Sequence, residues 1–217
     1  MAIVSKSVIG SITGKLDNIV FKDRNGKKIA YVWPKNYKAS KSALAKEGRN
    51  NFAMTVKFAK AVNSVPGLKE IWALANVEGS NSFQKIIKNN ARLVKEGSLT
   101  LVNKITPGGS ALKIISASVR DKVLNLSFTF PANDNIEFPV TLYIFFFFNK
   151  DEKSVYTISE KISAPIANNI YNLEINLTGE INKALIEDAD PVVYTAIAGS
   201  MPFKNKIYWT STASVQI

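Results

Sequence analysis

The sequence predicts an α+β protein: a basic N-terminal β-hairpin and a small helical region, followed by an immunoglobulin-like antiparallel β-sandwich. An Asn-Gly turn lies between two β-forming runs near the N-terminus, and apolar residues then recur at helical spacing. Roughly eight short β runs with turn residues between them fill the second half. The predicted boundary falls between Thr106 and Pro107, which divides the chain into regions 1–106 and 107–217.

The hairpin is predicted over residues 18–33. Asn25-Gly26 is the strongest short hairpin signal, because a type I′ turn needs positive φ at both central residues. Pro34 ends the second arm, and a basic connector follows over residues 35–41. The β-forming side chains on the two arms are Ile19, Phe21, Ile29, Tyr31 and Trp33.

Three apolar stripes at three- and four-residue spacing predict three helices with a small core of their own. The first helix is predicted over residues 42–63, the second follows Pro66-Gly67 and ends by Gly79, and the third ends at Gly97 as its C′ glycine. Ser80 or Asn81 would cap the third helix. The stripes are Phe52, Val56, Ala59 and Val62; Leu68, Ile71, Trp72 and Ala75; and Phe83, Ile86, Ile87, Ala91 and Val94.

Short β runs begin at Leu99 and continue to the end of the chain. Residues 180–188 predict one or two helical turns between strands. Tyr194 resembles the tyrosine of an immunoglobulin-type corner, whose hydroxyl turns back to the loop before its strand. The predicted strands are Leu99–Ile105, Leu112–Val119, Val123–Phe130, Val140–Phe148, Val155–Ile162, Tyr171–Leu177, Val192–Ala198 and Ile207–Val215.

The sequence contains neither His nor Cys. Without them the chain has no Ser-His-Asp or Cys-His nucleophilic site, no structural zinc site of Cys and His, and no disulfide. The stretch from Gly10 to Lys15 lacks the spacing of a phosphate-binding loop, and the acidic clusters lack calcium-loop spacing. We therefore predict a protein that is not an enzyme, with no catalytic residues, no cofactor and no metal site.

Positive charge is concentrated in the N-terminal half. Residues 1–106 hold 19 basic and 6 acidic side chains, a net charge of +13, whereas residues 107–217 hold 9 and 11, a net charge of −2. The aromatic residues Trp33, Tyr31 and Tyr37 are interleaved with the lysines of this region. Such a pattern can follow a phosphate backbone and stack bases, dock on an acidic protein surface, or simply form a solvated face. The predicted partner-binding residues here are Lys15, Lys22, Arg24, Lys27, Lys28, Trp33, Lys35, Lys38, Lys41, Lys46 and Arg49.

Four consecutive phenylalanines, residues 145–148, make one predicted strand apolar on both faces. In a two-layer sandwich one of those faces would meet water, so we expect half of the run to pack on the helical region or on a neighbouring subunit. Phe146 and Phe147 are therefore added to the predicted partner-binding residues. The apolar window Phe138–Phe148 has 11 residues. A membrane-spanning helix needs about 20, and the N-terminus carries no secretory signal, so we expect a soluble protein.

A set of N-terminal residues has a distinctive spacing: Gly10, Gly14-Lys15, Asn18, Val20, Arg24-Asn25-Gly26-Lys27, Pro34, Arg49 and Phe52. Over residues 8–52 this pattern resembles the opening of an uncharacterised family found in Bacteroidota and in their phages and prophages. Asp17 stands where the family favours Gly. The resemblance implies a hairpin, a helix and a β-sandwich, with no known catalytic residues. Its layout is similar to that of auxiliary capsid proteins of tailed, crAss-like phages.

The sequence therefore predicts a structural protein of the virion that binds a larger assembly, as an auxiliary decoration or cement protein of a phage capsid. Before assembly it would be in the host cytoplasm. Its partner would be an acidic protein surface, such as the major capsid protein or another virion component, and not a membrane. Two alternatives stay open: a nucleic-acid-binding protein that uses the same basic region, and a sandwich module that binds carbohydrate or another surface.

Overall fold

A computed structural model describes residues 2–3, 13–24, 26–33, 39–130, 136–148, 155–163, 169–187, 190–201 and 206–217. Helices and antiparallel sheets confirm the α+β class. The chain forms two compact units, Met1–Ser42 and Ala43–Ile217. This division differs from the predicted boundary at Thr106 and Pro107. The reason is that the helices share a hydrophobic core with the sandwich, and so belong to the same unit.

The first unit contains a four-stranded antiparallel sheet. Its strands are β1 (Ala2–Ile3), β2 (Gly14–Leu16), β3 (Ile19–Arg24) and β4 (Lys27–Val32), in the order β1-β4-β3-β2. The predicted hairpin is confirmed, because β3 pairs with β4 along its whole length. Gly26 adopts a φ of 74°, and its amide donates a hydrogen bond to the Asp23 carboxylate at 3.0 Å. Both features stabilise the turn on the Gly26 side. Asn25, the other residue of the predicted turn, lies outside the described residues.

The second unit begins with the three predicted helices, α1 (Ala43–Ser64), α2 (Pro66–Leu74) and α3 (Ser82–Asn90). Asn81 caps α3 as predicted, since its side chain accepts a hydrogen bond from the Gln84 amide at 2.9 Å. Gly97 lies in a turn well beyond the end of α3, so it is not the C′ glycine of that helix. Phe52 is 56% exposed and lies outside the buried stripe of α1. That stripe consists of Met54, Thr55, Phe58, Ala59 and Val62.

An immunoglobulin-like sandwich follows the helices. One sheet has the strand order β5-β6-β9 and the other β8-β7-β10, with both β11 and β12 on the free side of β10. The strands are β5 (Lys113–Arg120), β6 (Val123–Thr129), β7 (Val140–Phe147), β8 (Val155–Ile162), β9 (Ile170–Asn176), β10 (Val192–Met201), β11 (Lys206–Trp209) and β12 (Ala213–Gln216). The predicted short helix is α4 (Gly179–Glu187).

The predicted strand Leu99–Ile105 is wrong, because this segment is an irregular loop. Hydrogen bonds from side chains, rather than from a neighbouring strand, satisfy its backbone groups. The Asn90 side chain accepts from the Lys104 amide at 2.7 Å and donates to its carbonyl at 3.0 Å. Thr212 Oγ1 accepts from the amides of Ile105 and Thr106 at 2.9 and 3.0 Å. These bonds satisfy backbone groups that would be costly to bury unpaired.

The strands β7 and β10 lie between two hydrophobic cores, so the second unit has three layers. One face of their sheet packs against β6 and β9, and the other packs against the helices. The first core includes Leu124, Phe128, Leu142, Ile144, Phe146, Tyr171 and Val193. The second includes Phe58, Trp72, Ile86, Tyr143, Phe145, Phe147 and Tyr194.

Tyr194 does not form the predicted immunoglobulin-type corner. Its hydroxyl donates to the Thr100 carbonyl at 2.8 Å, in the loop that follows the helices. The side chain points into the core between sheet and helices, where its ring lies 5.9 Å from that of Phe58. The alternation of side chains along β10 explains this orientation, because residues 194, 196 and 198 face the helices whereas 193 and 197 face the sandwich interior.

Candidate binding surface on the N-terminal sheet

The strand register of the first unit places its basic side chains on two faces. Directly opposite residues of an antiparallel pair point to the same face. Arg24 is opposite Lys27 and Lys22 is opposite Ile29, so these four side chains share one face. We call this surface the basic face. Its members are Lys15, Val20, Lys22, Arg24, Lys27, Ile29, Tyr31 and Trp33.

The opposite surface of the sheet is mainly apolar, and we call it the apolar face. It comprises Leu16, Ile19, Phe21, Ala30 and Val32, with Asp23 and Lys28 opposite each other near the turn. Lys28 therefore does not belong with the other basic residues predicted in the hairpin. The alternation of side chains along a strand separates Lys27 and Lys28, although they are neighbours in the sequence.

A pocket of about 210 Å³ lies in the basic face, lined by Lys22, Arg24, Ile29 and Tyr31. The two cations are exposed, whereas Ile29 and Tyr31 are half-buried, so the pocket joins positive groups to an apolar and aromatic wall. On the same face the Lys15 ammonium lies 5.9 Å from the centre of the Trp33 ring, within cation–π distance.

None of the side chains described between residues 13 and 33 is buried. Leu16 is 70% exposed and Val32 is 64% exposed on the apolar face. Both cores of the chain are built from residues of the second unit. A small sheet needs a covered hydrophobic face to be stable, and a group of exposed apolar side chains marks an interaction surface.

The other predicted basic residues lie elsewhere or outside the described residues. Lys41 precedes α1 in an exposed segment, and Lys46 and Arg49 lie on the exposed first half of α1 in the second unit. Lys35 and Lys38 lie outside the described residues. The basic face therefore brings together five of the predicted residues: Lys15, Lys22, Arg24, Lys27 and Trp33.

Phe146 and Phe147 do not belong to a binding surface. Their exposed fractions are 0% and 2%, and both pack against other parts of the same chain. The prediction that they contact a partner is therefore wrong. The other alternative for the Phe run is confirmed: Phe146 and Phe148 fill the sandwich core, and Phe145 and Phe147 fill the core beneath the helices.

Neither the pocket nor the apolar face was predicted from the sequence. In the sequence Tyr31 appeared as a β-forming residue and as one of the aromatic residues interleaved with the lysines, whereas Ile29 appeared only as a β-forming residue of the hairpin. The signal that would have found both surfaces is the two-residue alternation of β4, in which Lys27, Ile29 and Tyr31 share one side.

Two further features bear on the kind of site. Among the described residues, no cluster of three or more acidic side chains has a geometry that could hold a metal ion. No helix within the described ranges is long and apolar enough to cross a membrane.

Comparisons with known proteins assign no family. No protein-family model and no curated protein matches the chain. Among solved structures, the chain is similar to wild-type OgpA from Akkermansia muciniphila, with 8% sequence identity and a TM-score of 0.27. The match covers 65% of this chain and 41% of the OgpA chain, so the chain spans less than half the length of that protein.

Proposed function

We propose that this chain is a non-enzymatic structural protein that docks onto a larger assembly through its N-terminal sheet. The assembly we propose is a phage capsid, with the chain as an auxiliary decoration or cement protein. The observation that carries the proposal is the contrast between the two units. The second unit has two hydrophobic cores of its own, whereas no side chain described between residues 13 and 33 is buried.

The apolar face is the part of the sheet that we assign to the docking contact. Leu16, Ile19 and Val32 all lie on it, and each is classed as exposed. Complete burial of such a side chain contributes about 1.5–3 kcal/mol. A partner that covers the apolar face would therefore stabilise the sheet and gain affinity from the same contact.

The charge of the first unit favours an acidic partner. Residues 1–42 contain nine basic and two acidic side chains, a net charge of +7. Complementary charge speeds association and discriminates against other basic surfaces. A capsid surface rich in carboxylates fits this requirement, and we assign Lys28, at the margin of the apolar face, to this contact.

The choice of a phage capsid rests on the resemblance of residues 8–52 to a family found in Bacteroidota phages and prophages. The layout supports it, since a small basic unit precedes a larger unit that contains an immunoglobulin-like sandwich. In this proposal the protein is in the host cytoplasm before assembly and in the virion afterwards.

The test is the number of copies of the chain in purified phage particles. The variant Leu16→Ser/Val32→Ser removes apolar surface from the sheet, and Leu74→Ser/Ile186→Ser is its control on exposed positions of the second unit. Wild type and control are expected at the same fixed stoichiometry, with the apolar-face variant reduced about 10-fold or more. Absence of the wild-type chain from the particles, or normal incorporation of the apolar-face variant, would refute the proposal.

A further inference from the structure

We infer that the basic face of the N-terminal sheet binds single-stranded nucleic acid. This goes beyond the proposed docking function, because it uses the opposite surface of the sheet. The contacts we assign are phosphates at Lys22 and Arg24, and bases against the rings of Tyr31 and Trp33.

Positive charge is concentrated on the basic face. Arg24 and Lys27 are directly opposite each other on adjacent strands, and Lys22 lies on the same face one side-chain position away. Like charges in opposite positions destabilise a sheet. The basic face has no carboxylate among its described residues, since Asp23 points to the apolar face. A bound anion would relieve this repulsion.

The pocket in the basic face combines cationic side chains with an apolar and aromatic wall. Its cations, Lys22 and Arg24, stand beside Ile29 and the ring of Tyr31. A free phosphate or a carboxylate needs only the cations. A nucleotide has both a charged phosphate and a planar base with an apolar face, and so it matches both halves of the pocket.

The spacing of the aromatic side chains on the basic face suits successive bases of a single strand. Tyr31 and Trp33 are two residues apart, and both project from the basic face. Two such positions on a strand are separated by about 7 Å. Successive unstacked bases of a single strand can therefore each contact one ring, while the cations along the strands follow the backbone. In a duplex the bases are stacked on each other, so only phosphate contacts would remain.

The test is fluorescence anisotropy with the purified full-length chain and three probes. The probes are a labelled 20-nucleotide single-stranded DNA, a duplex of the same sequence, and poly-glutamate as an acidic protein surface. We expect the single strand to bind about 10-fold more tightly than either other probe, because only it offers bases to the rings. Equal or tighter binding of the duplex or of poly-glutamate would overturn the inference.

Two pairs of variants separate the phosphate contacts from the base contacts. Lys22→Gln/Arg24→Gln should reduce the slope of log affinity against log salt by about 1.4, and Lys28→Gln on the other face should leave it unchanged. Tyr31→Leu should weaken binding about 5- to 150-fold, whereas Tyr31→Phe keeps the ring and should bind as wild type. Wild-type affinity in Tyr31→Leu would overturn the inference. Because no particle is present, its failure would leave the docking proposal untouched.

Discussion

Phe146 and Phe147 are consecutive residues of β7, yet they lie in different hydrophobic cores. Phe146 packs in the sandwich interior, where its ring lies 6.3 Å from that of Phe148. Phe147 packs beneath the helices. The two faces of β7 therefore serve two separate layers, which explains why a strand of a sandwich is apolar on both sides. The helices are the third layer of the second unit.

This arrangement predicts that both phenylalanines stabilise the fold. Phe146→Ala and Phe147→Ala should each lower the free energy of unfolding by about 3–5 kcal/mol, because each leaves a cavity in a closed core. Phe52→Ala is the control, since Phe52 is 56% exposed, and it should change stability by less than about 1 kcal/mol. Urea unfolding measures all three. A loss of less than about 1 kcal/mol in either core variant would contradict the three-layer packing.

Gly67 of α2 packs directly against the Tyr143 side chain of β7. A Cβ atom on Gly67 would lie 1.9 Å from Tyr143 Oη and 2.9 Å from Cζ. Gly67→Ala should therefore destabilise the protein by at least about 1–3 kcal/mol. Gly48→Ala is the matched control, because a Cβ atom there meets nothing within 4 Å in α1. The control should stabilise the protein by about 0.5–1 kcal/mol.

Tyr143→Phe offers a second test of the same contact, by thermal unfolding. It removes the hydroxyl that the new methyl group would meet, so Gly67→Ala should cost less in this background than in the wild type. An equal loss of stability in the two backgrounds would mean that the Tyr143 hydroxyl is not what makes Gly67→Ala destabilising.

Burial of Tyr194 predicts a loss of stability at alkaline pH. Burial raises the pKa of Tyr194 above its ordinary range. Above pH 10 the unfolded tyrosine ionises while the folded one stays protonated, so the free energy of unfolding falls as pH rises. The contribution of Tyr194 is present below pH 10, and its loss has a slope of at most about 1.4 kcal/mol per pH unit.

The variant Tyr194→Phe isolates this contribution. Below pH 10 it should be about 1 kcal/mol less stable than wild type, because it loses the 2.8 Å bond to the Thr100 carbonyl. Above pH 10 the difference in free energy of unfolding between wild type and variant should shrink, since the variant has one fewer tyrosine to ionise. Guanidine unfolding at pH 8 and pH 11 checks this. A difference that grows with pH would contradict the assigned burial.

Local signals in the sequence predicted most of the secondary structure. The β3–β4 hairpin, the N-cap at Asn81 and the alternation along β6 each depend on neighbouring residues, and the structure agrees with them. The segment Leu99–Ile105 was predicted as a strand because its composition favours one. One of its backbone partners, the Thr212 hydroxyl, lies about a hundred residues away, where no local pattern can indicate it.

The candidate site was predicted only in part, for a related reason. Composition identified the basic residues, but it treated Lys27 and Lys28 alike, and strand register places them on opposite faces. The Phe run was ambiguous because apolar strand faces look the same whether a helix or a partner covers them. Only the packing of α1, α2 and α3 on β7 distinguishes the two.

The contrast between the two units also predicts that residues 43–217 fold alone. Both cores lie within this fragment, so its thermal unfolding midpoint should equal that of the full chain within a few degrees. Scanning calorimetry of both proteins measures this. A fragment that is unfolded, or that melts far below the full chain, would show that residues 43–217 do not fold independently of residues 1–42.

The central claim is that the N-terminal sheet, and not the sandwich, attaches this protein to its assembly. The most direct test is quantitative mass spectrometry of particles assembled with either the full chain or the folded 43–217 fragment. The account predicts a fixed number of full-length copies per particle and a number of fragment copies at background. Equal incorporation of the fragment and the full chain would contradict it.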